Sequence, residues 1–164
     1  MDSVFVRSAS KEDVPFITSS WLRSFREGGS FCKRVPNNIY YHYHHKIMEQ
    51  LLPRSYVLVA TNESDPNHIL GWLCGEIVDT VPVVHYVYVK APMRRFGIAK
   101  HLFEAFTDTV KGVTGTIPQF YFHTHKTPTS NKMLDDSKWV YHPYLMFMKI
   151  PETWYNPDMR KPKE

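Results

Sequence analysis

Apolar residues recur along this chain with the spacing of helices in some stretches and of strands in others. Ile17, Trp21 and Phe25, for example, would share one face of a helix. The strand-like stretches are short, rich in β-branched and aromatic residues, and bounded by Gly, Pro or Asn. The pattern predicts helices over residues 11–26, 36–53, from about 98 to the glycines at 112 and 115, and 127–136, and strands over residues 4–7, 56–60, 68–78, 83–89, 119–125 and 144–150.

The order of these elements predicts a mixed α/β sheet with helices on both faces. The polar segment 62–67 joins two strands into a hairpin, and Thr80-Val81-Pro82 is predicted to break the chain before the next strand. Later strands alternate with helices. No repeat or linker interrupts the pattern, so we expect a single domain over residues 1–150. A Pro- and Lys-rich tail over residues 151–164 is expected to be solvated.

Composition narrows the class of protein. The chain has 164 residues, a formal net charge of +4 and two cysteines without C-x-x-C spacing, which argues against a disulfide scaffold or a cysteine zinc site. Neither a signal-peptide pattern nor an apolar run of about 20 residues is present, so we expect a cytoplasmic protein that does not enter a membrane. Lysines and arginines are scattered, which disfavours a nucleic-acid-binding module.

The segment after the predicted strand 83–89 has the features of a phosphate-binding turn. It reads Arg94-Arg95-Phe96-Gly97-Ile98-Ala99 and opens a helix. The first N–H groups of a helix lack backbone partners, and the helix dipole favours an anion there. Gly97 lets the backbone approach a ligand closely, and the two arginines add positive charge. A purely structural turn between a core strand and a core helix is the alternative interpretation.

The stretch 87–99 resembles the coenzyme A-binding motif of the GCN5-related N-acetyltransferases, whose pattern Gln/Arg-x-x-Gly-x-Gly/Ala is matched by Arg94, Gly97 and Ala99. The resemblance covers residues 4–150 in its order of elements. It implies the acyl-CoA N-acyltransferase fold, with a mixed, mostly antiparallel sheet of six to seven strands. It also implies transfer of an acetyl group from acetyl-coenzyme A, as co-substrate, to an amine. Many members have Gly where Arg95 stands.

The same resemblance implies a set of cofactor contacts. Main-chain groups around Val87 and Val89 would bind the pantetheine arm, and the amides of the turn would bind the pyrophosphate. The cofactor-binding residues expected in this way are Val87, Tyr88, Val89, Arg94, Arg95, Phe96, Gly97, Ile98, Ala99 and Asn131.

Three residues are candidates for acid–base chemistry. His85 lies two residues before Val87, so we expect both side chains on one strand face, and imidazole titrates near working pH. A histidine stands at a similar place in the serotonin acetyltransferase branch, whereas Val83 stands where many members have a glutamate. A structural, hydrogen-bonded His85 is equally compatible with the sequence. Glu76 is the second candidate base, against a solvent-facing strand carboxylate, which we favour. Tyr144 is the candidate acid, although it lies out of register with the family's tyrosine.

Histidines and tyrosines cluster in two places. Residues 40–45 carry Tyr40, Tyr41, His44 and His45, which by the resemblance would wall the acceptor pocket; an aromatic helix face packed on the sheet is the alternative. His123 and His125 would share one strand face, but two ligands are too few for a usual metal site. We therefore expect no metal.

The sequence leaves the acceptor open. A small amine, a peptide N-terminus, a lysine or an aminoacyl group would each fit the chemistry, and a homodimer is compatible with the family. A coenzyme A-binding regulatory or interaction domain without catalysis is the alternative function.

Overall fold

A computed structural model describes residues 3–28, 32–127 and 138–147 of the chain. In this part of the chain three α-helices and six strands surround two hydrophobic cores. In chain order they are β1 Val4–Ser8, α1 Val14–Gly28, α2 Asn37–Arg54, β2 Tyr56–Asn62, β3 Asp65–Val78, β4 Val81–Val89, α3 Ile98–Thr114, β5 Tyr121–His123 and β6 Trp139–Tyr141. Short 3-10 segments cover Lys11–Asp13, Cys32–Arg34, Ala91–Met93 and Pro143–Met146.

The six strands form one sheet in the order β1-β2-β3-β4-β5-β6. Strands β1 to β4 pair antiparallel through hairpins and the α1–α2 excursion, whereas β5 runs parallel to β4 and β6 runs parallel to β5. The parallel β4–β5 pair requires a crossover, and α3 provides it. The predicted mixed, mostly antiparallel sheet is confirmed.

Helices cover both faces of the sheet, as predicted. One core lies between the sheet and helices α1 and α2, and the other lies between the sheet and α3. The first contains Ile17, Trp21, Tyr40, Met48, Leu51, Val59, Trp72, Cys74 and Tyr86. The second contains Leu58, Ala60, Leu70, Leu73, Val84, Ile98, Leu102, Phe106 and Val110.

Of two predicted boundaries, the break before β4 is wrong and the end of α3 at Gly115 is confirmed, in both cases for reasons of backbone geometry. The expected break at Thr80-Val81-Pro82 is shorter, because Val81 and Pro82 already pair with Val78 and Ile77 in the ladder. The turn consists of Asp79 and Thr80, whose φ angles of 49° and 70° are those of a two-residue hairpin turn that follows the sheet twist. Helix α3 also continues through Gly112 and ends at Gly115, which has a φ of 77°.

The last predicted elements differ most from the structure. The strand expected over residues 144–150 begins instead with the 3-10 segment Pro143–Met146, because proline at its start has no N–H for a ladder and favours a helical turn. The final described strand is β6, earlier in the chain. Most of the helix expected over residues 127–136, and the tail over residues 151–164, lie outside the described residues.

Candidate active site

The turn between β4 and α3 has the backbone geometry of an anion site. Gly97 adopts a φ of 78° and precedes the first helical residue, and Arg95 is also left-handed with a φ of 72°. The first helical hydrogen bond runs from the His101 N–H to the Gly97 carbonyl, so the three preceding N–H groups point out of the helix end. Buried Ile98 anchors this end of α3 to the core. These N–H groups, the helix dipole and the two arginines can together hold a phosphate group.

Strand β4 leaves part of its edge unpaired with β5. In the described residues the β4–β5 ladder contains only two residue pairs, and on β4 these are Val83 and Val84. The Lys90 N–H donates to the Leu70 carbonyl on the β3 side. Alternation along the ladder therefore directs the main-chain groups of Val87 and Val89 toward β5. This edge lies directly before the turn and supplies hydrogen-bonding groups in an extended row.

Tyr88 is not brought to this edge. Its main chain belongs to the ladder with Trp72, and its ring packs against Trp72 and Phe16 on the α1 side. Arg94 lies beside the edge, because its Nε donates to the Val89 carbonyl at 3.3 Å. Phe96 is half exposed at the tip of the turn.

His85 occupies an irregularity in β4. Cys74 opposes Tyr86 whereas Gly75 opposes Val84, so His85 is an extra residue with no partner of its own in β3. Such a bulge redirects the side chains around it. Val87 packs in the core beneath α3. The ring of His85 turns instead toward Glu76, which also contacts Arg54 at the end of α2. The expectation that the two side chains share a face is therefore wrong.

Glu76 accepts hydrogen bonds from two side chains, His85 on β4 and Arg54 at the end of α2. Its Oε1 accepts from the His85 Nε2 at 2.8 Å and from the Arg54 Nε at 3.2 Å. Arg54 also donates to the Leu145 carbonyl at 2.7 Å. Glu76 is only 9% exposed, so the interpretation of a solvent-facing strand carboxylate is wrong. Both of these contacts use Oε1.

Both ring nitrogens of His85 are engaged. Besides Glu76, the ring contacts the Thr124 hydroxyl through Nδ1 at 2.9 Å, and the residue is 1% exposed. Burial lowers the pKa of His85, and the contact with Glu76 opposes that shift. His85 is therefore neutral near pH 7, and Glu76 is the less buried of the two residues.

Two further histidines, His125 and His44, extend this network. The Thr124 hydroxyl also contacts the His125 Nδ1 at 2.9 Å, and the His125 Nε2 lies 3.3 Å from the His44 Nε2. Rings of Trp21 and Phe25 pack around both histidines. Burial lowers the pKa of His44 to about 4 and that of His125 well below its ordinary value.

These shifts predict that acid destabilises the fold. The unfolded chain takes up a proton on His44 as the pH falls through 6.5, its ordinary value, whereas the folded protein does so only near pH 4. The stabilisation is present above pH 6.5 and is lost as the pH falls toward 4, by about 3 kcal/mol for this one group. Urea denaturation at several pH values measures this loss.

The neighbouring histidine provides the control for this measurement. His45 lies on the exposed side of α2 beside Glu49, so His45→Gln should keep the wild-type pH dependence. His44→Gln should reduce it. Equal slopes for His44→Gln and the wild type would contradict the assignment.

The remaining predicted residues lie in different surroundings. Tyr144 is 69% exposed on the 3-10 segment, and none of the described contacts links it to His85 or Glu76. Tyr40 is buried and donates to the Leu22 carbonyl at 2.6 Å, whereas Tyr41 is exposed. The aromatic positions of α2 are thus divided between core and surface. Asn131 lies outside the described residues.

His123 and His125 do not converge on one ligand. The ring of His123 lies beside Trp139 and Tyr141, whereas that of His125 lies in the aromatic cluster under α1. The reason is that β5 ends at His123, so the alternation expected of a longer strand does not apply. Within residues 3–28, 32–127 and 138–147, no three His, Cys, Asp or Glu side chains are arranged to hold a metal ion.

Sequence reasoning missed Arg54 and Thr124. Arg54 ends α2 directly after Pro53, and nothing local in the sequence connects it with Glu76. Thr124 stands between His123 and His125, and its contact with His85 depends on the pairing of β4 with β5. A surface depression of about 490 Å³ near Ala99, Phe103 and Trp139 lies along α3 and is separate from these residues.

A six-stranded mixed sheet with helices on both faces, in which the β4–β5 ladder ends after Val84, is the fold of the acyl-CoA N-acyltransferase class. The model of the acetyltransferase (GNAT) family matches residues 17–130. The chain belongs to this family. Comparison with curated protein sequences gave no match.

Solved structures share the fold at low sequence identity. An acetyltransferase of the GNAT family from Brucella melitensis in complex with acetyl-CoA has a TM-score of 0.55 and 14% identity, over 81% of this chain and 82% of that one. PaiA N-acetyltransferase from Thermoplasma acidophilum in complex with coenzyme A has a TM-score of 0.50 and 14% identity, over 68% and 74%. A structure assigned as an acetyl transferase from Pyrococcus furiosus has a TM-score of 0.57 and 17% identity, over 99% and 95%.

None of the helices in the described part of the chain is both long and apolar enough to span a bilayer.

Proposed function

We propose that this protein is an acetyl-coenzyme A-dependent N-acetyltransferase that acts on a primary amine in the cytoplasm by direct attack on the thioester. The observation that carries the proposal is that the β4–β5 ladder ends after Val84, on the strand that leads into the turn with the left-handed Gly97. The family model and the neighbours solved with coenzyme A or acetyl-CoA support it.

In this proposal the free edge of β4 and the turn bind one extended ligand. The main-chain groups of Val87 and Val89 hydrogen-bond to the amides of the pantetheine arm, as a further strand would. The N–H groups at the start of α3 and the side chains of Arg94 and Arg95 bind the pyrophosphate. The thioester is thereby directed toward the bulge at His85.

Glu76 is the group best suited to take a proton from the amine. Its Oε1 pairs with Arg54, it is less buried than His85, and its Oε2 is used by neither of its two donors. In this proposal His85 orients Glu76 through their hydrogen bond and does not itself contact the amine. This changes the assignment favoured by the sequence, in which His85 was the base, and leaves Tyr144 without a supported role as the acid.

In the proposed reaction the neutral amine nitrogen forms a bond to the carbonyl carbon of the thioester and loses one proton to Glu76. A main-chain N–H on the part of the β4 edge that is not paired with β5 donates to the developing oxyanion. The carbon–sulfur bond then breaks, the amide forms, and the thiolate takes up the proton that Glu76 had accepted, which regenerates the carboxylate.

The test is a transfer assay in which thiol release from acetyl-coenzyme A is followed with chemically diverse amines. Small amines, peptide N-termini, lysine peptides and aminoacyl compounds form the panel. We expect release that depends on one class of amine, with the acetylated product identified by mass spectrometry. Calorimetric binding of coenzyme A without turnover on any amine would favour the non-catalytic coenzyme A-binding domain instead.

A further inference from the structure

Five side chains form a continuous, buried hydrogen-bonded chain from α2 to β3. In spatial order they are His44, His125, Thr124, His85 and Glu76, and the successive contacts are 3.3, 2.9, 2.9 and 2.8 Å long. Each of the five residues is at most 9% exposed. This hydrogen-bonded network passes from Thr124, directly after β5, to His85 on β4, next to the last residue pair of these two strands.

The position of each hydrogen in this network follows from its Glu76 end. Arg54 donates to the Oε1 of Glu76, so this carboxylate oxygen is an acceptor and the His85 Nε2 must carry the hydrogen between them. Because His85 is neutral, its Nδ1 has a lone pair and accepts from the Thr124 hydroxyl. A hydroxyl has one hydrogen, so Thr124 must in turn accept from the Nδ1 of His125.

The same rule continues to α2. With its hydrogen on Nδ1, neutral His125 presents a lone pair at Nε2, and the Nε2 of His44 must carry the hydrogen that lies between the two rings. All four hydrogen bonds thus point toward Glu76. A chain oriented in one direction is strengthened by mutual polarisation in a low-dielectric interior.

We infer that Thr124, His125 and His44 are positioning residues that hold the ring of His85 in the orientation in which its Nε2–H points at Glu76. The inference rests on the proposed function for its catalytic consequence, but the tautomers themselves do not depend on turnover. If the donor at Thr124 is lost, Glu76 still keeps the hydrogen of His85 on Nε2, but the Nδ1 side of the ring has no partner to hold it. The Nε2–H would then be aligned less well with Oε1, and Glu76 would be oriented less well.

Other titratable and charged groups face this chain from the packed elements. They are Tyr40, Arg54, Cys74, Tyr86 and His123. Burial raises the pKa of Tyr86 to about 12 and that of Cys74 to about 12, so both stay neutral while the histidines are examined near pH 7.

Nitrogen-15 NMR of histidine-labelled protein at pH 7 tests the tautomers directly. We expect three neutral rings, with the hydrogen on Nε2 in His85 and His44 and on Nδ1 in His125. Replacement of Thr124 by valine, which keeps the shape and removes the hydroxyl, should leave the hydrogen of His85 on Nε2 but shift the Nδ1 resonance, which loses its donor, and broaden the signals of the ring. Thr124→Ser keeps the hydroxyl and should keep the wild-type pattern. An Nε2–H tautomer of His125 in the wild type would overturn the inference.

Kinetics provide the second measurement. Thr124→Val is expected to lower kcat by about three- to tenfold, the effect of one lost hydrogen bond, and to move the acid limb of the pH profile. Affinity for coenzyme A should be unchanged, and Thr124→Ser should restore both kcat and the profile. An unaltered profile in Thr124→Val, with its fold intact by circular dichroism, would contradict the positioning role.

The two measurements separate the inference from the proposed function. Wild-type protein that binds coenzyme A, has the expected tautomers and acetylates none of the amines would refute the enzyme and retain the positioned histidine. If the wild-type protein turns over substrate but His125 has the other tautomer, the hydrogen-bonded network is refuted and the proposed enzymatic function is retained. Loss of turnover on treatment with a chelator would overturn the chain as well, because a metal ion between His44 and His125 would then replace their hydrogen bond.

Discussion

Replacement of Glu76 by glutamine is expected to lower kcat by about 100-fold or more, within the range of general-base contributions. Glutamine has nearly the same shape and keeps an oxygen for Arg54 and His85, but it cannot accept the proton of the amine. The affinity for coenzyme A should remain close to the wild-type value, because the turn at Gly97 and the β4 edge are untouched. Steady-state kinetics with saturating acetyl-coenzyme A, together with calorimetry, measure the two effects separately.

The control for this variant is a second carboxylate on the same side of the molecule. Glu49 is exposed on α2 and pairs with His45, so Glu49→Gln should keep wild-type turnover. Thermal unfolding of Glu76→Gln reports whether the weakened contact with Arg54 has affected the fold. Turnover of a folded Glu76→Gln within twofold of the wild type would remove Glu76 as the base.

Replacement of Gly97 by leucine is expected to weaken coenzyme A binding by about 100-fold. The φ of 78° at Gly97 belongs to the left-handed region, which costs a side-chain-bearing residue roughly 1–2 kcal/mol. A branched side chain would in addition stand where the phosphate approaches the N–H groups of α3. The dissociation constant for coenzyme A, measured by calorimetry, gives the effect without any assumption about the acceptor.

A glycine elsewhere in the same helix provides the matched control. Gly112 lies inside α3 with open space around it and an ordinary helical backbone, so Gly112→Leu should preserve binding and slightly raise the helix stability. Unchanged affinity in a folded Gly97→Leu would mean that the turn does not bind the pyrophosphate. The cofactor part of the proposed function would then fail.

Local sequence patterns predicted the fold well where the spacing of apolar residues matches the face that packs against the sheet. The apolar positions of α1 and α3 lie on a helical face that the sheet buries, and their elements were predicted within a few residues. The predictions failed where one residue changes the backbone. Pro143 starts a 3-10 turn in place of a strand, and Asp79 and Thr80 make the turn with φ angles that their sequence does not require.

The sequence by itself determined the family and singled out the turn that we propose as the anion site, because a strand, Gly97 and a helix start are contiguous and a local motif can specify them. Only the tertiary structure pointed to Glu76 as the proposed acid–base group. Arg54, Glu76, His85 and Thr124 come from four separate segments, and the extra residue in β4 turns His85 away from the face that strict alternation assigns to it. Contacts between distant segments depend on register and packing, which the spacing of residues along a chain does not encode.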